Sequence, residues 1–219
     1  MSADQTLLAT TPRGDSAVET PFYIPATGTA ARPRCALKYG DTFAIVDSYG
    51  DIGASAGGSD GLFHKDTRFL SLLELRVNGQ QLLLLGSNQR DDNTVLSVDL
   101  TNPDFIVDGK IALQKDLLHI GRTMFLWHGT AYQRLAVRNH SDKPIELSLS
   151  IRFGSDFADL FEVRGLQRAR RGTAKQEMIG PDRVLLVYRG LDSKMRRSTL
   201  TFDPPPTELT VDTATYRLV

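Results

Sequence analysis

Short apolar runs separated by turn-forming residues recur along the chain from about Leu37 onward. Several runs alternate apolar and polar residues with a period of two, which is the pattern of a strand that buries one face. The clearest is segment 145–153, which has Ile, Leu, Leu, Ile and Phe at its odd positions and mostly polar residues between them. The pattern predicts a protein built from β-strands.

The breaks between the runs contain residues that favour tight turns. Asn78-Gly79 is the strongest hairpin signal, because both residues accept the positive φ that a two-residue turn requires. Only 156–163 and 61–70 have the character of short helices. About a dozen strands with almost no helix predict an all-β fold, a large antiparallel β-sandwich with few short helices.

The two ends of the chain differ in composition from its middle. Residues 1–33 are rich in Thr, Ala, Pro and Gly, so we predict a mobile N-terminal arm followed by a β-sandwich domain over 34–219. Residues 214–219 are typical of a strand rather than of a polar, frayed terminus. We therefore expect the chain to be part of a longer protein.

Charge and cysteine content exclude several classes of function. The 26 basic and 26 acidic residues cancel, so no overall field favours nucleic acid or an anionic membrane. A single cysteine, Cys35, excludes a disulfide framework and is typical of a reducing compartment. No secretory signal, membrane-spanning run or metal-binding histidine spacing is recognisable. We expect a cytoplasmic protein with no cofactor or metal.

A dense block of opposite charges, 154–172, follows the clearest strand. Asp156, Asp159 and Glu162 are spaced i, i+3, i+6, so a helix would place them on one face, and Arg164 and three further arginines follow them. Paired carboxylates can hydrolyse glycosidic bonds. The adjacent arginines instead favour ion pairs, and the block is interpreted as a contact surface.

Segment 61–71 places Asp66 and Arg68 between aromatic residues, just before a predicted strand. One interpretation is an Asp-capped turn in which Arg68 pairs with a carboxylate. The other is a polar lip that contacts sugar hydroxyls or a partner domain. The glycine-rich stretch 50–61 lacks the Gly-Lys-Ser/Thr ending of a phosphate loop and is interpreted as a flexible connection.

Several separated motifs occur together in a recognisable order. They are GLFHKDTRFLS (61–71), LRVNG (75–79), VDLTNPD (98–104), the run Arg122…Tyr132…Asn139 and DFADLFEVRG (156–165). Through these motifs, the segment from about residue 37 to about residue 190 resembles the N-terminal domain of bacterial glycogen debranching enzymes, or amylo-α-1,6-glucosidases. The resemblance implies a β-domain of supersandwich type, followed by an (α/α)6-barrel that carries the catalytic carboxylic acids.

The resemblance also implies a role for the present chain. No catalytic residue is expected in it, and alone it should be inactive, with the barrel as its partner and α-glucan as a further candidate ligand. The positions expected to line the substrate cleft or the domain interface are Asp66, Arg68, Asp156, Asp159, Glu162 and Arg164. Without a barrel, we expect self-association through the exposed face or a poorly ordered 156–172 loop.

Two other functions compete with this interpretation. An autonomous carbohydrate-binding module would stack sugars on exposed aromatic residues, for which Trp127 and six tyrosines are available. Trp127 lies inside a predicted strand, however, where a core role is expected. A self-contained enzyme would use Asp156 with Asp159 or Glu162, and its activity would be lost on Asp156→Asn.

Overall fold

The computed structural model describes residues 32–53 and 58–219. In these ranges the chain forms seventeen strands and one short helix. The first nine strands are β1 (Arg34–Tyr39), β2 (Thr42–Asp47), β3 (Gly61–His64), β4 (Thr67–Leu70), β5 (Leu72–Val77), β6 (Leu83–Gln89), β7 (Val95–Thr101), β8 (Phe105–Val107) and β9 (Lys110–Leu113). The later elements are β10 (Leu118–Trp127), β11 (Thr130–Asn139), β12 (Leu147–Gly154), α1 (Leu160–Val163), β13 (Thr173–Gly180), β14 (Arg183–Arg189), β15 (Met195–Thr201), β16 (Glu208–Leu209) and β17 (Thr213–Leu218).

The strands pair antiparallel throughout the described ranges. They form sheets in the orders β1-β2-β3-β4, β11-β10-β7-β6, β16-β17-β12-β5 and β13-β14-β15, with β8-β9 as a separate hairpin. The prediction of an all-β, antiparallel fold with few short helices is confirmed.

The sheets share one hydrophobic core. In β12 the predicted alternation holds, because Leu147, Leu149, Ile151 and Phe153 are all buried. In β10 every second residue from Leu118 to Leu126 is buried. Side chains from the other strands complete the core, among them Leu37, Val46, Val77, Leu96, Val184 and Ala214.

The turns are partly those that the sequence predicts. Asn78 and Gly79 both have positive φ, at 49° and 73°, and Val77 bridges to Gln80, as expected for the hairpin turn. The helical character expected for 61–70 is wrong. These residues form the β3–β4 hairpin, in which Lys65 takes a φ of 54° in a turn that contains no glycine.

The predicted N-terminal arm lies outside the described residues, apart from Arg32 and Pro33. Arg32 Nη1 lies 2.5 Å from Asp47 Oδ2, and its guanidinium lies 4.1 Å from the centre of the Tyr49 ring. Within the described part of the chain, no helix has both the length and the apolar character needed to cross a membrane.

Candidate functional site

The segment between β12 and β13, residues 155–172, is named here the charged loop. It packs against β4 through the backbone: Arg68 N donates to Ala158 O at 2.8 Å, and Leu160 N donates to Asp66 O at 3.0 Å. Thr67 also bridges to Asp159. The fold thus brings together the two motifs, 61–71 and 156–165, that carry all six predicted site residues.

Arg68 and Asp156 form the ion pair that fastens the charged loop to the sheet. Arg68 Nε lies 3.1 Å from Asp156 Oδ1, and Arg68 Nη2 lies 2.5 Å from Asp156 Oδ2, a two-point contact. The remaining Arg68 nitrogen donates to the carbonyl oxygens of Gly58 and Asp60 at 3.2 and 3.0 Å. Of the two interpretations of Arg68, pairing with a carboxylate is observed.

Asp159 and Glu162 cap helix α1. Asp159 Oδ1 accepts hydrogen bonds from Phe161 N and Glu162 N, both at 2.9 Å, and Glu162 Oε2 accepts one from Asp159 N at 3.1 Å. This reciprocal arrangement is a capping box. Because the helix begins at Leu160, Asp156 lies outside it. The predicted common helical face for the three carboxylates is therefore wrong.

The arginines of the charged loop pair with its own carboxylates. Arg168 bonds to Asp159, and Arg171 Nε lies 3.0 Å from Glu162 Oε1. Although desolvation opposes it, the backbone amide of Glu162 and the Arg168 guanidinium lower the pKa of Asp159. Asp159 therefore stays ionised at neutral pH, which suits a cap and not a general acid, which needs a raised pKa.

The other two predicted site residues, Asp66 and Arg164, make fewer side-chain contacts. Asp66 accepts from Thr67 Oγ1 at 3.3 Å and otherwise contributes its carbonyl oxygen to Leu160. Arg164 ends the helix and is exposed, and among the described residues no carboxylate lies within ion-pair distance of it.

Phe157 anchors the charged loop in the core. Its side chain is buried, and its ring lies 5.8 Å from the Phe69 ring and stacks on Tyr188 at 5.7 Å. Its φ of 50° is strained for a bulky residue, so this packing holds the backbone in an unfavourable conformation. Tyr188 also accepts a hydrogen bond from Gly172 N at 2.8 Å, at the loop's far end. The loop is fixed at both ends.

Two apolar side chains of this fixed loop remain in solvent. Phe161 is 66% exposed and Leu166 is 54% exposed. A loop that is bonded at both ends and displays large apolar groups beside arginines has the composition of a polar interdomain contact. The charged loop is thus the strongest candidate contact surface among the predicted residues.

A buried charged cluster that the sequence did not predict lies on the inner face of β10. Arg122 is 1% exposed, and its Nη1 donates to Asp51 Oδ1 at 2.6 Å and to Tyr49 O at 2.9 Å. Gln133 Oε1 accepts from the other two nitrogens, at 3.1 and 2.9 Å. Burial raises the pKa of Asp51, although the Arg122 guanidinium opposes this. The cluster is enclosed, so its role is structural.

Asp51 comes from the glycine-rich stretch interpreted as a flexible connection. Its amide donates to Asp47 Oδ1 at 2.8 Å, and its carboxylate accepts from Leu75 N at 3.2 Å. The flexible interpretation is therefore wrong for Asp51. The available signal in the sequence was an arginine at an inward position of an otherwise apolar strand.

Trp127 is 52% exposed, so the core role expected for it is wrong. It lies with Phe125 on the outer face of β10, and Phe125 stacks on Tyr132 of β11 with ring centres 4.9 Å apart and planes 10° apart. Trp127 packs against Tyr39 at 4.7 Å. The protein thus exposes aromatic residues on the outer face of β10 and β11 that are different from the predicted site residues.

An open cleft of about 670 Å³ lies between the β8–β9 hairpin and residues 141–146, and none of the six predicted site residues lines it. Across the described ranges, no three His, Cys, Asp or Glu side chains converge as metal ligands would.

The comparisons with known proteins found one match, to a protein-family model. A family model described as the N-terminal domain of (some) glycogen debranching enzymes matches residues 37–219, most of the chain. No curated protein and no solved structure matches the chain.

Proposed function

The chain belongs to the family of N-terminal domains of glycogen debranching enzymes, and we propose that it is a non-catalytic domain that docks on a catalytic domain through the charged loop. The parent enzyme would be an α-1,6-glucosidase acting on α-glucan. The observation that carries the docking proposal is a loop that is bonded at both ends and exposes Phe161 and Leu166.

The bonds that hold the loop matter because they lower the cost of association. A flexible loop loses conformational entropy when it binds, whereas this loop is already held by Arg68, Phe157 and Tyr188. Burying a large apolar side chain completely contributes about 1.5–3 kcal/mol, so covering the exposed parts of Phe161 and Leu166 would contribute about 2–3 kcal/mol together. Arg164 would add orientation through a charge-assisted hydrogen bond.

A catalytic role for the charged loop has no support in its geometry. The Asp156 carboxylate is held at two points by Arg68, and the Asp159 carboxylate is held by two amides and Arg168. Glycoside hydrolysis needs one carboxyl group that donates a proton and a second that acts as base or nucleophile, and carboxylates held in this way are not free to do either. The catalytic carboxylates would therefore belong to the partner domain, and these residues would at most form the rim of its cleft.

The test uses the full-length enzyme that contains this domain. Phe161→Ser together with Leu166→Ser should separate the unfolding of the two domains in calorimetry and expose the linker to protease, with lower activity following. Ile106→Ser with Val107→Ser is the matched control, since these residues are 60% and 59% exposed on β8. Unchanged calorimetry and proteolysis in the Phe161 and Leu166 variant would exclude the charged loop from the interface.

The same exposed side chains give a reason for the predicted self-association of the domain alone. The serine double variant should then sediment as a smaller species than the unmodified chain. We also propose the cytoplasm as its compartment, because a single cysteine in 219 residues is typical of reducing conditions.

A further inference from the structure

Strand β13 is an edge of the β13-β14-β15 sheet. β14 pairs with one side of it, and no strand in the described ranges pairs with the other side. The opposite edge of the sheet, β15, lies against β4, where Ser198 Oγ donates to Phe69 O at 2.6 Å. In an antiparallel ladder about half of the N–H and C=O groups of an edge strand point away from its neighbour. β13 therefore offers another strand a row of backbone groups that no described strand takes up.

The hydrophobic core ends under β14 and does not extend to β13. Val184 and Leu186 are buried on the inner face of β14, and Met178 and Gln176 lie opposite them on the same face of β13. Gln176 is exposed, and Met178 is 53% exposed. A further strand beside β13 would extend the inner face and cover Met178. Pairing at this edge would thus remove apolar area from water.

The outer face of β13 carries one cation and one anion, two positions apart. Lys175 Nζ lies 2.5 Å from Glu177 Oε2, with side chains 70% and 38% exposed. A pair this exposed contributes little to stability, so each group can exchange its partner at small cost. A lysine on an edge strand usually opposes pairing with a second copy, because the copy brings a lysine of its own. Glu177 changes that outcome, because it can face the lysine of the copy.

One symmetric register of two β13 strands brings opposite charges together. When identical strands pair antiparallel, a two-fold axis at Gln176 places Lys175 of each copy opposite Glu177 of the other. Cross-strand pairs of opposite charge stabilise a sheet, whereas like charges directly opposite destabilise it. An axis at residue 175 would oppose two lysines, and an axis at residue 177 would oppose two glutamates. On the inner face, the register centred on Gln176 sets Ala174 against Met178 of the second copy.

Another long edge strand, β11, does not have this property. It ends the β11-β10-β7-β6 sheet, and it exposes Arg134 and Arg138. Its sequence, TAYQRLAVRN, contains no carboxylate, so no register of two β11 strands pairs opposite charges. The charge pattern of β13, and not merely its position at an edge, therefore selects a second copy of the chain as its partner.

We propose that two copies of the chain pair antiparallel through β13 about a two-fold axis at Gln176, forming one continuous sheet with three strands from each copy. The charged loop leads directly into β13 at Thr173. Because the paired strands run in opposite directions, the two charged loops lie at opposite ends of the shared sheet. Phe161 and Leu166 are not part of the pairing, so this dimer differs from the self-association attributed to those side chains.

Charge exchange tests the pairing in solution by sedimentation velocity. Every protein carries Phe161→Ser and Leu166→Ser, so that the charged loop does not contribute, and this background protein should dimerise. Lys175→Glu and Glu177→Lys should each raise the dimer dissociation constant at least tenfold, because each replaces two attractive cross-strand pairs by repulsive ones. An equimolar mixture of the two variants should dimerise again, because the carboxylates of one then face the ammonium groups of the other. Recovery on mixing also shows that both variants are folded.

A disulfide tests the register. In a Cys35→Ser background, Gln176→Cys should form a covalent dimer under mild oxidation. Directly opposed residues of an antiparallel pair have Cα atoms about 4.5–5.5 Å apart, which a disulfide can span. Ala174→Cys is the matched control on the same face, because its two copies would lie four positions out of line, roughly 13 Å along the strands. It should remain monomeric alone and cross-link when mixed with Met178→Cys.

The full-length enzyme shows whether the edge is used there. Gln176→Cys in that enzyme should give the same link between the two copies of residue 176, identified by mass spectrometry. The proposal is overturned if the background protein stays monomeric, if the mixed charge variants do not dimerise, or if Gln176→Cys cross-links no better than Ala174→Cys. A monomeric full-length enzyme in which this cysteine resists alkylation would also overturn it, since another segment would then cover the edge. Failure of the charged-loop test alone would leave this dimer standing.

Discussion

Arg122→Met should be among the most destabilising single substitutions in the domain. Methionine keeps the length and apolar stem of the side chain but removes every donor to Asp51, Tyr49 and Gln133. The Asp51 carboxylate then stays buried, with Leu75 N at 3.2 Å and Arg32 at 3.9 Å as remaining partners. Removing one partner of a buried ion pair costs about 3–5 kcal/mol, so we expect a loss of about 4 kcal/mol.

Urea denaturation followed by far-UV circular dichroism measures this loss. Arg90→Met is the matched control, because Arg90 pairs with Asp92 at 3.5 Å with side chains 67% and 52% exposed, and solvent screens such exposed pairs so that they contribute little to stability. Adding Asp51→Asn to Arg122→Met should recover at least half of the loss, because the buried charge is gone. The reasoning is refuted if Arg122→Met stays within about 1 kcal/mol of the unmodified chain, or if the double variant is no more stable than the single one.

The same variant makes a signed prediction for pH. Burial already raises the pKa of Asp51 in the folded protein, and loss of the opposing guanidinium raises it further. A carboxyl with a raised folded pKa binds more protons in the folded state, so stability falls as pH rises from the unfolded pKa to the folded one. The deficit of Arg122→Met should therefore shrink as the pH is lowered toward the unfolded pKa of aspartate.

Two further variants test the charged loop. Asp159→Ala removes the α1 cap and should lower the free energy of unfolding by about 1 kcal/mol. Because the pKa of Asp159 is lowered in the folded protein, this loss of stability should be complete above the unfolded pKa and vanish as the pH falls through the folded pKa. A loss of stability that persists in acid would contradict the capping role. Asp156→Ala removes the ion-pair partner of Arg68 and should speed hydrogen exchange at the amides of Arg68 and Leu160. Asp92→Ala, which changes an exposed carboxylate, is the control. Unchanged exchange in Asp156→Ala would show that backbone bonds alone hold the loop.

The sequence was informative where one face of a strand is buried. Segment 145–153 predicts β12 because burial imposes alternation on it, and Asn78-Gly79 predicts its turn because few other pairs accept that backbone. The β3–β4 hairpin escaped prediction because Lys65 supplies the positive φ, which lysine seldom does. Its apolar residues were compatible with either a helix or a strand.

The candidate site was predicted in part. Charge alone indicated that Arg68 and the 156–171 block would form ion pairs, but not which carboxylate each arginine would find, because pairing across the chain depends on sheet topology. Trp127 was misassigned because segment 123–128 is apolar on both faces, and periodicity cannot then tell inside from outside. The Asp51–Arg122 pair joins residues 71 apart, which no local pattern indicates.

The fastening of the charged loop by Arg68 and Asp156 has a consequence for how the domain folds. These residues are 88 apart in the chain, and closing so long a segment is entropically costly until the intervening strands are in place. The docking surface should accordingly be one of the last parts to form. A partner that recognises this surface would not bind chains whose folding is incomplete. Binding through the loop would therefore select fully folded domains.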